Sequence, residues 1–435
     1  MQFLVQPGGN LNGTIRVPGD KSISHRSVML GALAEGITEV SGLLQGEDVL
    51  ATLAAFRAMG VKAEGPDNGR LVIHGVGMRG LQAPSHALDM GNSGTAMRLM
   101  AGILSGQSFD SELVGDASLS KRPMNRVANP LREMGAHIGT AEGGRPPLRI
   151  RGGQALHGID YVMPVASAQV KSSVLLAGLF ASGRTRVTEP APTRDHTERM
   201  LRGFGYDVKT DDAVVTLQGG GHLRATRIDV PADISSAAFF LVGATIASGS
   251  RLTLEHVGMN PTRIGVINIL KAMGARIAVT NEHFVGGEPV ADITVESAEL
   301  HGIDIPQDQV PLAIDEFPAL FIAAACARGK TRLSGAHELR VKESDRIAVM
   351  ARGLKTLGVT HQETEDGIII EGGQLGGGEV DSEGDHRIAM SFAMAGLRAT
   401  APIRIVDCLN VNTSFPNFVS LAGQCGLSIA AGEDV

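Results

Sequence analysis

Two kinds of hydrophobic segment alternate along the chain, and each kind recurs six times. In the first kind, apolar positions recur with helical spacing until a glycine, which leads into a short apolar stretch. Glycine readily takes the left-handed conformation that closes a helix, so this pattern predicts six helices that each end at a glycine. The copies are LAAFRAMGVKAE, NPLREMGAHI, RMLRGFGYDV, NILKAMGARIAV, ARGLKTLGVT and SLAGQCGLSI. The glycines are Gly60, Gly135, Gly205, Gly274, Gly358 and Gly426, spaced by 75, 70, 69, 84 and 68 residues.

The second kind of segment opens with a polar turn and continues as a run of mostly small apolar residues. A helix that is apolar nearly all round must be buried, so these segments predict six core helices. Alternating stretches between the two kinds, such as RLVIHGVG and ADITVES, are typical of strands. The sequence therefore predicts an α/β protein built from six units of about 70 residues each. The core-helix segments are PGDKSISHRSVMLGALA, GNSGTAMRLMAGIL, PVASAQVKSSVLLAGLF, PADISSAAFFLVGATIA, PLAIDEFPALFIAAACA and EGDHRIAMSFAMAG.

Six units divide evenly into two domains of three units. The turn PADISS near Pro231 predicts one boundary, and a crossover of the chain near Val17 predicts the other. We therefore expect residues 18–231 to form an N-terminal domain, and residues 1–17 with 232–435 to form a C-terminal domain. A repeat scaffold that only binds a partner would share this architecture, but such a scaffold would tend to repeat its surface. Here the polar residues differ from one equivalent turn to the next.

Composition narrows the class of function. The 435 residues carry a formal net charge of −7, and 3% are aromatic with no Trp, which argues against binding nucleic acid or an anionic membrane. The start MQFLVQPGG lacks the pattern of a signal peptide, and no apolar run is long enough to span a bilayer. The three cysteines are scattered and form no metal-binding motif. These features predict a cytoplasmic protein with reduced thiols and no metal or organic cofactor.

Cations gather at the predicted helix starts. If the core helices of each domain begin at one face, their N-termini present free N–H groups and positive dipole ends there, which favours anions. A dense set of Lys and Arg with a few carboxylates suits a multiply anionic substrate pair. The residues at these starts include Lys21, Ser22, Arg26, Asn92, Thr95, Ser167, Gln169, Asp315, His386 and Arg387. The other helix type adds Arg122, Arg194, Lys342, Glu343 and Arg346.

Some acidic residues in these segments have ordinary structural interpretations. Asp385 precedes a core helix and is expected to cap it. Asp195 and Glu198 are expected to pair with the neighbouring Arg194 and Arg199 along a helix.

Seven motifs carry a resemblance that covers essentially the whole chain. PGDKSISHR, GNSGTAMR, GDASLSKRPM, SAQVKSS, TRDHTE, RVKESDR and GDHRIAM resemble, in order and spacing, the signature blocks of 5-enolpyruvylshikimate-3-phosphate synthases. The resemblance implies two domains, each a pseudo-threefold arrangement of βαβαββ-type repeats, that close on an active site in the cleft between them. It implies transfer of the enolpyruvyl group of phosphoenolpyruvate to the 5-hydroxyl of shikimate 3-phosphate in the shikimate pathway. It further implies a monomer without nucleic-acid or membrane partners, and a target of glyphosate.

The same resemblance assigns residues to each substrate. Residues expected at shikimate 3-phosphate are Lys21, Ser22, Arg26, Ser167, Ala168, Gln169, Arg194, Asp315 and Lys342. Those expected at phosphoenolpyruvate are Lys21, Gly94, Arg122, Gln169, Arg346, His386 and Arg387. Two positions depart from the family pattern: Ala168 stands where a Ser is common, and Thr413 stands where a C-terminal Lys is expected.

The transfer needs a base for the attacking hydroxyl and an acid that protonates C3 of phosphoenolpyruvate. The resemblance makes Asp315, Glu343 and Lys21 the catalytic candidates, and which carboxylate serves which step stays open at this point. Two alternatives stay open beside this interpretation. One is a UDP-N-acetylglucosamine enolpyruvyl transferase, a family that carries a reactive Cys where this chain has Ala117. The other is a non-catalytic scaffold, which would not need carboxylates among the cations.

Overall fold

The computed structural model describes residues 1–433. Within that range the chain forms twelve α-helices, and they are α1 (Lys21–Leu33), α2 (Glu47–Ala58), α3 (Gly94–Ser105), α4 (Asn125–Glu133), α5 (Ala168–Gly178), α6 (His196–Gly203), α7 (Ile234–Ile246), α8 (Gly265–Ala272), α9 (Phe317–Ala325), α10 (Arg346–Thr356), α11 (His386–Ala395) and α12 (Phe418–Cys425). No helix in the described part of the chain is long and apolar enough to cross a membrane.

The strands of the described residues are short. They are β1 (Gln2–Val5), β2 (Asn12–Ile15), β3 (Glu35–Ser41), β4 (Lys62–Asp67), β5 (Arg70–Val76), β6 (Leu88–Asp89), β7 (Ser111–Val114), β8 (His137–Ala141), β9 (Arg145–Arg151), β10 (Asp160–Val162), β11 (Arg184–Thr188), β12 (Val208–Asp211), β13 (Val214–Gln218), β14 (Arg227–Asp229), β15 (Arg251–Gly258), β16 (Arg276–Val285), β17 (Glu288–Glu296), β18 (Lys330–Leu333), β19 (Thr360–Glu363), β20 (Ile368–Glu371), β21 (Gly378–Asp381), β22 (Ile403–Val406) and β23 (Ile429–Gly432).

The chain divides into two compact units. Unit 1 comprises Met1–Pro18, Pro231–Phe284 and the residues from Pro289 onward, and unit 2 comprises Gly19–Val230 with Val285–Glu288. Each unit has its own hydrophobic core.

Unit 2 contains the same four-stranded sheet three times. The strand orders are β14-β3-β5-β4, β6-β7-β9-β8 and β10-β11-β13-β12. In each sheet the first two strands are parallel and the other neighbours are antiparallel. Parallel neighbours require a crossover connection, and α3 and α5 provide it in the second and third sheets. The core helices are therefore placed by the topology of the sheets.

Unit 1 repeats this plan with strands that are far apart in sequence. Its sheets have the orders β16-β17-β15-β2, β18-β20-β19 and β21-β22-β1-β23. Strand β2 is parallel to β15, and β1 lies between β22 and β23, antiparallel to both. The three-stranded sheet is extended by a parallel bridge between Asp304 and Arg332. The N-terminal residues thus complete two sheets of unit 1.

The two predicted helix types are confirmed. All thirteen residues of α7 and all nine of α9 are buried, and α1, α3, α5 and α11 are almost as deeply buried. The other six helices bury only one side. Each of them is followed by a glycine with a positive φ, as predicted: Gly60, Gly135, Gly205, Gly274, Gly358 and Gly426. Because L-residues other than glycine rarely adopt this conformation, the glycines end these helices at defined points.

Candidate active site

The core helices of unit 2 begin with capped N-termini. The side chains of Asp20, Ser93 and Ser167 accept hydrogen bonds from backbone N–H groups in the first turns of α1, α3 and α5. Capping leaves further N–H groups at each helix start unpaired within the helix, and these groups favour a nearby anion. Ser167, predicted at shikimate 3-phosphate, is therefore fixed at the start of α5, directly before Ala168.

Arg26 links the first core helix to two other helices of unit 2. Its Nε donates to Thr197 Oγ1 at 2.7 Å, its Nη2 donates to Ser172 Oγ at 2.9 Å, and its Nη1 donates to the Ser22 carbonyl at 2.9 Å. Burial lowers the pKa of the Arg26 guanidinium to about 10, and the positive charge of Arg194 adds to that shift. Arg26 is thus a fixed, buried cation within electrostatic range of Arg194.

Lys21, the first residue of α1, forms an ion pair with the buried Asp48. The ring of His25 lies between polar groups of its neighbours, with Nδ1 2.8 Å from Thr52 Oγ1. Burial lowers the pKa of His25 well below its usual value, and the charges of Lys21 and Arg26 lower it further. His25 is therefore neutral at physiological pH. The sequence did not single out Asp48 or His25, because neither belongs to the part of a motif that resembles a substrate contact.

A second cluster of unit 2 surrounds Gly94. Gln169 accepts a hydrogen bond from Arg98 Nη1 at 2.5 Å through Oε1, and it donates to Thr95 Oγ1 at 3.0 Å through Nε2. Arg122 Nη2 donates to Asn92 Oδ1 at 2.8 Å. A Cβ atom on Gly94 would lie 2.9 Å from Arg98 Nη1 and 3.2 Å from Arg122 Nη1. The absence of a side chain at position 94 therefore leaves room for two guanidinium groups.

Arg98 was not among the predicted site residues. The signal for it was present, because Arg98 lies four residues after Gly94 in GNSGTAMR, and positions four apart share one face of a helix.

In unit 1, the Arg346 guanidinium brings three carboxylates together. Its Nη2 donates to Glu343 Oε2 at 2.6 Å, its Nη1 donates to Asp315 Oδ1 at 3.2 Å, and its Nε donates to Asp385 Oδ2 at 2.8 Å. Lys342 Nζ lies 3.5 Å from Asp315 Oδ1. The predicted catalytic carboxylates of unit 1, Asp315 and Glu343, thus share one partner, the Arg346 guanidinium.

Asp385 differs from the other two carboxylates in its burial. Its side chain is fully buried, whereas those of Asp315 and Glu343 are 14% and 25% exposed. Burial acts to raise the pKa of Asp385, but the charge and hydrogen bond of Arg346, together with His386, hold the pKa of that carboxyl below its usual value. Asp385 also accepts from the Arg387 backbone N–H, which confirms the predicted helix cap. Asp385 therefore anchors Arg346, while the carboxylates of Asp315 and Glu343 remain partly exposed.

The remaining predicted residues of unit 1 lie near the start of α11. Arg387 Nη1 is 4.0 Å from Glu316 Oε1, and His386 is buried. Thr413, which stands where the family pattern has Lys, is also buried and donates to the Asn410 carbonyl at 2.7 Å. Asn410 in turn donates to the carbonyl of Gly384, directly before Asp385. The segment that lacks the Lys is thus bound to the turn that carries the Asp385 cap.

The repeated α/β units of the two halves agree with the fold of the enolpyruvyl transferases, the class that the sequence resembles. The chain belongs to the EPSP synthase family, since the family model described as EPSP synthase (3-phosphoshikimate 1-carboxyvinyltransferase) matches residues 5–421. The match confirms two predictions made from the sequence, namely the family and the α/β fold class.

Individual relatives agree with the family model. The 3-phosphoshikimate 1-carboxyvinyltransferase of Alkalilimnicola ehrlichii is 66% identical over 434 residues, which cover 100% of this chain and 97% of that protein. The protein of the same name from Methylococcus capsulatus is 67% identical over 427 residues, with 98% of each chain covered. A solved structure of EPSP synthase from Acinetobacter baumannii matches with a TM-score of 0.90 and 62% identity, covering 99% of this chain and 100% of the other.

Proposed function

We propose that this chain transfers the enolpyruvyl group of phosphoenolpyruvate to the 5-hydroxyl of shikimate 3-phosphate and releases phosphate. The observation that carries the proposal is the contact of one guanidinium, that of Arg346, with both Asp315 and Glu343. Carboxylates beside fixed cations suit a reaction that moves protons on and off an anionic adduct. In a scaffold that only binds anions, carboxylates at this place would weaken the affinity for the anion.

The chemistry assigns a task to these groups. The 5-hydroxyl oxygen bonds to C2 of phosphoenolpyruvate, loses its proton to a base, and C3 takes a proton from an acid. The resulting tetrahedral adduct then loses the C3 proton and its C–O bond to phosphate, which restores the double bond. We assign the proton transfers to Asp315, Glu343 and Lys21, and stabilisation of the adduct to the surrounding cations.

The substrate assignments follow the clusters of each unit. In unit 2, Arg26 and Arg194 bind the phosphate of shikimate 3-phosphate, aided by the start of α5, and Ala168 supplies no hydroxyl there. Asp315 and Lys342 bind its hydroxyl groups. The residues that we assign to phosphoenolpyruvate are Lys21, Gly94, Arg122, Gln169, Arg346, His386 and Arg387.

A phosphate-release assay tests the proposal. Purified protein should release phosphate when phosphoenolpyruvate and shikimate 3-phosphate are both present, and not with either alone. Substitution of UDP-N-acetylglucosamine for shikimate 3-phosphate should give no phosphate. Phosphate release with the nucleotide sugar but not with shikimate 3-phosphate would overturn the proposal. Phosphate release with neither compound would favour the alternative of a non-catalytic scaffold.

The thiols give a second, independent prediction. Burial raises the pKa of Cys326 and Cys408 to about 12, and that of Cys425 to about 11. The reactive species of a thiol is its thiolate, so these groups should react slowly near neutral pH. We expect N-ethylmaleimide at pH 7 to leave the rate of phosphate release unchanged. Rapid loss of activity, prevented by phosphoenolpyruvate, would indicate a thiol-dependent transferase instead.

Gly94→Ala should weaken phosphoenolpyruvate and glyphosate together, and glyphosate more strongly. The added methyl group would press on the guanidinium groups of Arg98 and Arg122. We expect the KM for phosphoenolpyruvate to rise about tenfold, which corresponds to about 1.4 kcal/mol, and the inhibition constant of glyphosate to rise further. The measurement is steady-state inhibition at varied phosphoenolpyruvate. Equal inhibition constants for the wild type and the variant would show that position 94 does not decide sensitivity.

We further propose that the protein acts as a cytoplasmic monomer, a location supported by its three free thiols. Sedimentation velocity should then show one species near the chain mass of 45.4 kDa, and a single species of twice that mass would exclude the monomer.

A further inference from the structure

Lys171 is a buried cation to which the reaction assigns no task. It lies in the first turn of α5, and its side chain is 1% exposed. Its Nζ is 2.7 Å from Glu198 Oε1 and 3.1 Å from Glu189 Oε2. A buried lysine is costly unless it is paired, and here one lysine serves two carboxylates. Burial accordingly raises the pKa of Glu189 in spite of the nearby Lys171.

Glu189 is connected to the segment that carries Arg194. It follows the last residue of β11, and its Oε1 accepts a hydrogen bond from the hydroxyl of Thr193. Thr193 directly precedes Arg194 in the chain. The Lys171–Glu189 ion pair therefore restrains the backbone position of one phosphate-binding arginine.

Glu198 is connected to the other phosphate-binding arginine. Thr197, its neighbour on α6, accepts from Arg26 Nε at 2.7 Å and donates to Ser172 Oγ at 2.7 Å. Ser172 is in turn the neighbour of Lys171 on α5. Glu198 is also the carboxylate whose charge acts most strongly on Arg26. Without a counter-cation, this carboxylate would attract the same guanidinium that the substrate phosphate requires.

We propose that Lys171 is a positioning residue for phosphate recognition. Its single positive charge, shared between Glu189 and Glu198, partly offsets these carboxylates and so weakens their competition with the phosphate of shikimate 3-phosphate for Arg26 and Arg194. The proposal rests on the proposed function, because it takes these two arginines as the phosphate ligands. Lys171 itself touches no substrate.

The test is the effect of Lys171→Met on each substrate separately. We expect the KM for shikimate 3-phosphate to rise about tenfold or more, with the KM for phosphoenolpyruvate and kcat within about twofold of the wild type. In the double variant Lys171→Met/Glu198→Gln, the KM for shikimate 3-phosphate should fall most of the way back to the wild-type value, because the competing charge of Glu198 is gone. Lys271→Met, at an exposed position on α8, is the matched control and should change neither KM.

A structural role alone would give a different result. If Lys171→Met lowers the melting temperature but leaves the KM for shikimate 3-phosphate unchanged, the proposal is wrong. Failure of the double variant to recover that KM would also overturn it. If Lys171→Met does not fold, Thr193→Val provides the test. This change removes the hydroxyl group that donates a hydrogen bond to Glu189, and it should raise only the KM for shikimate 3-phosphate. An unchanged KM for shikimate 3-phosphate in this variant would refute the proposal. A wild type that does not consume shikimate 3-phosphate at all would instead remove the proposed function.

Discussion

Asp315→Asn and Glu343→Gln are each expected to lower kcat by about 10²-fold or more, with the fold retained. The amide cannot take up or deliver the proton whose transfer we propose for the carboxyl group. The fold should survive because Asp385, the fully buried partner, still holds Arg346 in either variant. Single-turnover measurements with both substrates would separate this loss from slow product release.

Two matched controls accompany these variants. Asp308→Asn and Glu365→Gln make the same chemical changes at exposed positions of unit 1 and should retain wild-type turnover. Near-normal kcat in Asp315→Asn or Glu343→Gln would remove that residue from the mechanism. A loss of kcat accompanied by an equal loss in the control would point to a general effect of charge.

Arg346→Met is expected to cost about 3–5 kcal/mol in the free energy of unfolding, the usual result of removing one partner of a buried ion pair. The guanidinium is 1% exposed and Asp385 is fully buried, so the variant leaves that carboxylate without its cation. Arg328→Met is the matched control, because its ion pair with Glu299 is 79% and 77% exposed and should contribute about 0–1 kcal/mol. Urea unfolding at neutral pH measures the difference, after a check that the transition is two-state.

The pH dependence gives this prediction a sign. In the wild type, Arg346 holds the pKa of Asp385 below its unfolded value of about 3.9, so the stabilisation is complete above that pH and is lost as pH falls through the folded pKa. In Arg346→Met, burial without the cation should raise the folded pKa of Asp385 above its unfolded value. Lowering the pH from 7 to 5 should then narrow the stability gap between the two proteins. A gap that widens over this range would contradict the assigned role of Asp385.

Local patterns predicted the helices well, because their signals are local. A glycine that ends a helix acts through its own backbone, so Gly60 and its five equivalents could be identified from the sequence alone. The core helices could be identified because a helix without a polar face has to be buried. Strand neighbours were harder to predict. The sequence placed residues 1–17 with the second half of the chain, but it did not indicate which strands, more than 390 residues away, pair with β1.

The ion pairs show the same limit. The predicted pairing of Asp195 with Arg199 is confirmed, with Arg199 Nε 2.9 Å from Asp195 Oδ2. The predicted pairing of Glu198 along the helix was wrong, because Glu198 lies on the buried side of α6 and binds Lys171 on α5. Helical spacing identifies which side chains can meet on one helix, but it does not show which face of that helix meets another element.

The position of β1 between β22 and β23 has a consequence for synthesis on the ribosome. The residues Gln2–Val5 are made long before both of their partners, Ile403–Val406 and Ile429–Gly432. Almost all of unit 2, by contrast, is one continuous stretch from Gly19 to Val230, so its core can form while the rest of the chain is still being made. Strand β1 must therefore remain unpaired until β22 and β23 have been made. A nascent chain halted before residue 403 would therefore expose a strand that has not yet found its sheet, which is a site for chaperones or for aggregation.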